Sequence, residues 1–288
     1  MKKFKIIFLL ITIITLLFLS KETSLTITKI TTNFAIHIFP TLAPALLINN
    51  ILIYSGGIYP LFINIKANAI TKHKIYLFSL IFLGLVSGTP TLANMINNEI
   101  DKTISKEEGQ NILNYFSFPS IPFLFALIIN STWPSMVAVL VVLIPILISI
   151  IFFGISMHKK YKPLTNIKIN SEDKIINKAI LATFKSLVLM LGSIILFSLF
   201  LVPLSIFMNE PYLYYIQGFL EFSYPLSYLF QNYTNINAII SMLIISFSSL
   251  SLILQIHLLA PKIDIQDVIK KRVLISGISL FVSFIFFI

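Results

Sequence analysis

The chain has 288 residues, of which 57% are hydrophobic and 11% charged, with a formal charge of +10 and a mean hydropathy of +0.94. Soluble domains carry roughly 25% charged residues, so this composition excludes an ordinary soluble globule and reads as an all-α polytopic membrane protein. The absence of cysteine excludes disulfides, thiolate metal sites and thiol catalysis.

In chain order, nine apolar segments stand out, at 4–19, 33–54, 75–97, 110–129, 133–157, 186–207, 212–231, 236–259 and 273–288. The first follows MKKFK and is followed by Lys21 without a small-residue cleavage site, so residues 1–32 read as an uncleaved signal-anchor helix and loop with a cytoplasmic N-terminus. Residues 33–157 form a first membrane repeat, 158–185 a basic cytoplasmic linker, and 186–288 a second membrane repeat. His37, His73, His158 and His257 are too scattered to suggest a metal site.

Lysine placement sets the topology. If all nine segments cross, ten of the 21 Lys and Arg residues fall inside and eleven outside, with no charge bias. If the third and seventh turn back, nineteen fall inside, Arg272 among them, and only Lys21 and Lys29 outside, as the positive-inside rule asks. Trp133, Tyr212, Tyr214 and Tyr233 then gather at the outer interface. The lysines thereby read as loop anchors, and no nucleic-acid partner is expected. Both returning segments carry glycine and proline near their middle, SGTPT at 87–91 and GFLEFSYP at 218–225, and such breaks are tolerated only inside protein or against water. A proline-kinked span is the alternative for each.

The fold expected is therefore about seven spanning helices plus two re-entrant hairpins. Each repeat contains a long helix, a hairpin, a helix with polar residues at its middle, and a plain apolar helix. Three crossings per repeat invert the second relative to the first, the plan of secondary transporters whose sites lie at the midplane. Pro119 and Pro122 break the fourth segment. The eighth has only serines at its middle, which can bond back to their own helix.

LGLVSGTPTLAN at 83–94, ISKEEGQNIL at 104–113, GFLE at 218–221 and SFSSLSLILQ at 246–255 together resemble the sporulation integral membrane protein YlbJ family, which carries a nucleoside-recognition or Gate domain. Four motifs occur in the family's order, with departures. Thr89 and Leu92 replace the family's tyrosine and glycine around the hairpin proline, Phe118 and Pro119 stand for its Asn-Asn, and Ser248 and Ser249 for its Gly-Gly. The resemblance implies a sporulation role in a cell membrane.

Two functions compete. One is binding or transport of a small polar solute such as a nucleoside, with a coupling proton or Na+ and no other cofactor. Its candidate residues are Ser87, Gly88, Thr89, Pro90, Asn94, Ser117, Ser120, Gln217, Glu221, Ser249 and Gln255. The other is a non-transporting structural or assembly protein of the spore envelope, in which these polar groups only bond helix to helix. An enzyme is not expected, because Glu99, Asp101, Glu107 and Glu108 read as a solvated loop face without a catalytic partner. The partners expected are the bilayer and a small solute, with homo-oligomerisation left open. Glu221, the only carboxylate inside a predicted segment, either serves a solute or ion or caps the second helix of its hairpin.

Overall fold

The computed structural model describes residues 10, 12–55, 68–100, 102–157 and 175–287. Among these it is all-helical, with no strand beyond one isolated bridge between Ile100 and Ile104. The helices are α1 Ser20–Asn33, α2 Phe39–Tyr54, α3 Ala69–Ser87, α4 Thr89–Glu99, α5 Lys106–Phe116, α6 Ile121–Ile129, α7 Ser135–Ser156, α8 Ile175–Leu199, α9 Tyr212–Leu220, α10 Ser223–Gln231, α11 Asn235–Phe247, α12 Ser249–Leu259 and α13 Ile265–Phe287. Five stretches are long and apolar enough to cross a membrane: Ile70–Ser87, Lys106–Ile129, Ser135–Ser156, Ile175–Leu199 and Asn235–Leu259. This is compatible with a multi-pass membrane protein.

Two boundaries differ from the sequence reading. The polar stretch after the first apolar segment, expected as a loop, is helix α1, and a π-helical turn at Phe34–Ile38 joins it to α2. No glycine or proline interrupts this stretch, so the backbone bonds continue through it. The linker expected at 158–185 is helical from Ile175, and its remaining residues, with most of the N-terminal segment, Asp101 and Lys66, lie outside the described residues.

Four of the nine predicted segments are broken in the middle, in two different ways. In the third, Asn68 caps α3 by accepting from Thr71 N at 2.8 Å, Gly88 ends it at φ 86°, and Pro90 opens α4 in the first turn, where its missing N–H costs nothing. The chain folds back there. Gly84 and Leu92, equidistant from Gly88, are so close that a Cβ on Gly84 would lie 2.4 Å from Leu92 Cδ1. Further out, Tyr76 Oη donates to Glu99 Oε2 at 2.7 Å. In the seventh, Glu221 leaves the helix in an extended conformation, and α10 returns along α9 so that the Tyr214 ring lies 4.2 Å from that of Tyr228.

The fourth and eighth segments are interrupted without folding back. A Ser105–Glu108 capping box starts α5, and Phe116 ends it. Ser120 then caps α6, with Pro122 in its first turn. In the eighth, Thr234 caps α11, which stops where Ser248 takes a left-handed conformation at φ 71° and Ser249 follows at φ 50°. Serines read as bonding back to a continuous helix therefore make a true break, because two successive residues at positive φ cannot continue the hydrogen-bond ladder.

Contacts at the ends of α7, which spans about 33 Å, give the broken helices their directions. Its start lies beside the end of α10, with Trp133 Nε1 donating to Leu229 O at 3.0 Å and its ring stacked 4.4 Å from Phe230. Its finish lies beside the start of α5, where Asn111 Nδ2 is 3.9 Å from Met157 Sδ. The start of α13 joins that second end, since Gln110 and Asp264 exchange hydrogen bonds of 2.8 and 3.0 Å and Asn114 Nδ2 reaches Asp267 at 2.7 Å. Lys262 also reaches Ile100 O there at 3.4 Å. Helices α5 and α6 thus run from a basic end, with Lys102, Lys106 and Lys262, to an aromatic end, with Trp133, Tyr214 and Tyr233. Helices α11 and α12 run the opposite way. The α3–α4 hairpin opens at the basic end and the α9–α10 hairpin at the aromatic end.

Gly88 tests the first turn. A Cβ there would sit 3.2 Å from Ser120 Cβ, with φ in the left-handed region. Gly88→Val is expected to lose about 1–2 kcal/mol to backbone conformation and a further ~1–3 kcal/mol to crowding. Gly154→Ala, which meets nothing within 4 Å, should leave stability unchanged or slightly raised. Reversible unfolding in mixed detergent micelles compares the two, and equal stability of the Gly88 variant and the native chain would contradict the hairpin tip.

Candidate functional site

Each hairpin tip ends against a helix break, the first through a hydrogen bond and the second through apolar packing. At the first tip, Thr89 Oγ1 donates to Phe118 O at 2.7 Å, inside the break between α5 and α6. Ser117 Oγ bonds Leu113 O and Phe118 N bonds Phe116 O, so two of the last four carbonyls of α5 are occupied. At the second tip, Gly218 is pressed against Ile244, and the Phe219 and Phe247 rings lie 5.9 Å apart beside the break at Ser248. Phe222 of the same tip meets Phe123 of α6 at 5.3 Å, linking the second hairpin to the first broken helix.

Two buried charges lie in this central layer. Glu221 is fully buried; its Oε1 accepts from Ser223 N at 2.7 Å, capping the first turn of α10, while Oε2 has no hydrogen-bond partner. Arg272 of α13 is also fully buried. Its Nη1 approaches Ser246 O at 3.5 Å, its Cζ lies 4.4 Å from the Phe118 ring centroid, and its Nε and Nη2 have no partner. Glu221 and Arg272 form no ion pair with each other. The guanidinium therefore touches both broken helices: it lies over the aromatic ring of the first break and at the carbonyl end of α11, where a helix carries partial negative charge.

The expected site residues are largely brought together, and most are satisfied within the chain. Ser87 donates to Leu83 O and accepts from Asn49 Nδ2 at 2.9 Å. Ser120 is the cap of α6, and Ser249 shares a hydrogen bond of 2.9 Å with Ser251. Gln255 Nε2 donates to Ser193 of α8 at 2.7 Å and leaves its Oε1 unpartnered. Gly88 and Pro90 shape the first tip. Asn94 lies apart, towards the basic end, in a cavity of about 310 Å³ with Tyr54, Lys178 and Lys185. Gln217 lines a cavity on the aromatic side, one helical turn before Glu221.

Three features escaped the sequence reading. Arg272 was grouped with Lys270 and Lys271 as a cytoplasmic charge. The signal that separates it is that it is the only arginine in the chain. Asn49 and Asn50 sit buried in the apolar run ALLINNILIY, where Asn50 Nδ2 ties α2 to Thr183 of α8 at 3.0 Å. Glu108, read as solvated, is buried and bonds His73 Nε2 at 2.7 Å, and Glu99 accepts from Tyr76. Glu108 packs because the start of α3 lies beside the start of α5, and Glu99 because α4 returns along α3.

A scan against protein-family models finds no match for the chain, and searches of curated proteins and of solved structures find none either.

The left-handed break is directly testable. Ser248→Gly removes the steric cost of positive φ and is expected to stabilise the protein by about 1 kcal/mol, whereas Ser248→Val should destabilise it by at least that amount. Both are measured by the midpoint of reversible unfolding in detergent. A Val variant as stable as the Gly variant would show that α11 and α12 form one continuous helix.

Proposed function

We propose that the chain is a multi-pass cell-membrane protein of two inverted repeats, with about seven spanning helices and two re-entrant hairpins. In this reading it binds or moves a small polar solute, such as a nucleoside, at the layer where the hairpin tips meet the helix breaks. The observation that carries the reading is Glu221, a fully buried carboxylate at a hairpin tip with one oxygen capping α10 and the other unpartnered. An ionisable group in the apolar layer of a bundle is costly to keep, and where kept it marks ion and solute pathways. The opposite directions of the broken helices and of the two hairpins support the transporter-like plan. In it, Glu221 supplies an acceptor for a solute hydroxyl or amine and a seat for a coupling proton or Na+, and Arg272 supplies the opposite charge. The basic end faces the cytoplasm with the N-terminus, and the resemblance in the hairpin motifs supports a sporulation role.

The second reading, a structural or assembly protein of the spore envelope that moves no solute, is favoured by a specific observation. Ser87, Thr89, Ser117, Ser120 and Ser249 all spend their hydroxyls on bonds within the chain.

Two measurements test these readings. Single cysteines at Asn98 and Gln266 should be protected from an impermeant maleimide on intact cells, and one at Asn232 should react. Labelling at Asn98 but not at Asn232 would overturn the orientation, and labelling of only one of Asn98 and Gln266 would overturn the re-entrant second hairpin, which lies between them. In liposomes, saturable uptake across a nucleoside panel is expected, reduced at least about tenfold by Glu221→Gln with its pH dependence abolished. Folded Glu221→Gln protein with unchanged uptake would leave the glutamate a cap and favour the structural reading.

A further inference from the structure

Between α1, the end of α8 and the mouth of the second hairpin lies a cavity of about 170 Å³, several times the ~30 Å³ that one water takes up in the liquid. Two of its lining residues carry opposite charge, Lys29 from α1 and Glu210 from the segment before α9. They do not pair with each other. Lys29 Nζ instead lies 4.6 Å from the centroid of the Tyr224 ring, while Glu210 accepts from Tyr214 Oη. A lysine and a glutamate that share one cavity without closing into an ion pair leave space between them for a molecule that brings both complementary charges.

The rest of the wall is polar in the same sense. Ser198 Oγ of α8 is buried and has no hydrogen-bond partner, and the Gln217 side chain makes no hydrogen bond within the chain although the residue is only 7% exposed. Tyr214 and Gln217 lie on one face of α9, and the residues flanking the helix extend that polar stripe, Glu210 before it accepting from Tyr214 Oη and Glu221 after it with its N bonded to Gln217 O. The stripe leads from the cavity at the aromatic end to the unpartnered oxygen of Glu221 at the hairpin tip.

We infer that this cavity is a binding site for a small zwitterion of the α-amino-acid type, its carboxylate held by Lys29 and its ammonium by Glu210, with Ser198 and Gln217 bonding the remainder. The inference deepens the solute-binding reading above: the site is the aromatic-side station of the route to Glu221. An uncharged solute such as a nucleoside satisfies neither charge, so the cavity selects a different solute class from the one that the hairpin motifs suggest. The Tyr214 and Tyr224 rings, edge-to-face at 5.5 Å, form one side and limit the solute to a short side chain.

Calorimetry and thermal stabilisation of the purified full-length chain in detergent test this, with glycine, L-alanine and L-serine as probes. Propionate and ethylamine serve as versions of alanine that lack one charge. At least one of the three amino acids should bind saturably, and propionate and ethylamine at least about tenfold more weakly. Lys29→Gln and Glu210→Gln should each weaken amino-acid binding by a similar factor, and Lys29→Arg should retain it. Failure of all three amino acids to bind, equal binding of a singly charged probe, or unchanged affinity in folded Lys29→Gln or Glu210→Gln protein would overturn the inference. The wild-type panel decides the matter even if a variant does not fold. Nucleoside binding that is lost in Glu221→Gln, with none of the three amino acids bound, would overturn this site while leaving the hairpin site standing. Amino-acid binding with uptake insensitive to Glu221→Gln would do the reverse.

Discussion

An interrupted helix in an apolar core must find partners for the backbone groups that it frees, and the architecture follows from that requirement. Each break exposes several carbonyls and N–H groups, and in a medium without water each one left alone costs several kcal/mol. Four breaks occur in the described chain, at Gly88, at residues 117–120, at Glu221 and at Ser248. They are stable because they are gathered. Thr89 serves Phe118, Ser117 serves Leu113, Glu221 serves Ser223 and Arg272 serves Ser246. Two of these bonds are local to their break, and the other two, from Thr89 and Arg272, come from neighbouring helices. The same layer thereby becomes a region of the apolar bundle with fixed polar geometry.

Glu221 and Arg272 complete that layer in a particular way. Direct pairing would neutralise both charges, but each is anchored to a backbone group of a broken helix, Glu221 at an N-terminus and Arg272 at a C-terminus. Each sits at the helix end that attracts its charge. The interaction with the partial charges of the ends offsets part of the desolvation that burial imposes, and Phe118 adds a cation–π contact for the guanidinium. Each residue keeps hydrogen-bonding capacity that the chain does not use, Oε2 on one and Nε and Nη2 on the other. That unused capacity separates them from the serines and threonines around them, most of which are fully bonded.

The parts of this arrangement that were legible in the sequence are those with a local chemical cause. Gly88 followed by Pro90 marks a turn because no other residue pair serves a left-handed stop and a helix start so directly, and Glu221 among apolar neighbours marks an exception that needs a partner. The break at Ser248 was not legible from propensity, since serine is tolerated within helices and its left-handed conformation is imposed by packing around Ile244 and Phe247. Both Ser248 and Ser249 adopt the positive φ that glycine accommodates more readily. Arg272 was misread because a basic cluster at a helix start looks alike whether its last member faces solvent or the core. Its burial is decided by α5 and α11 lying on either side of α13, which is long-range information. The His73–Glu108 pair and the helical continuity of α1 with α2 are likewise consequences of which elements meet.

The asymmetry between the two hairpins gives the molecule a direction. The first has a glycine at its tip, Ser87 and Thr89 hydroxyls bonded within the chain with Thr91 Oγ1 left unpartnered, and a basic mouth. The second has a carboxylate at its tip and a mouth where tyrosines surround a lysine and a glutamate that remain apart. Two hairpins with equivalent positions in the fold therefore differ in the chemistry that they present. The first is tied across its mouth by Tyr76 and Glu99 and at its tip by Thr89 to the break before α6. The second borders the cavity of Lys29 and Glu210 at its mouth and carries Gln217 and the unpartnered oxygen of Glu221 towards its tip, so a ligand-linked rearrangement would start there. The rigid hairpin supplies the reference frame, and the polar stripe on α9 supplies the groups whose bonding a ligand would change.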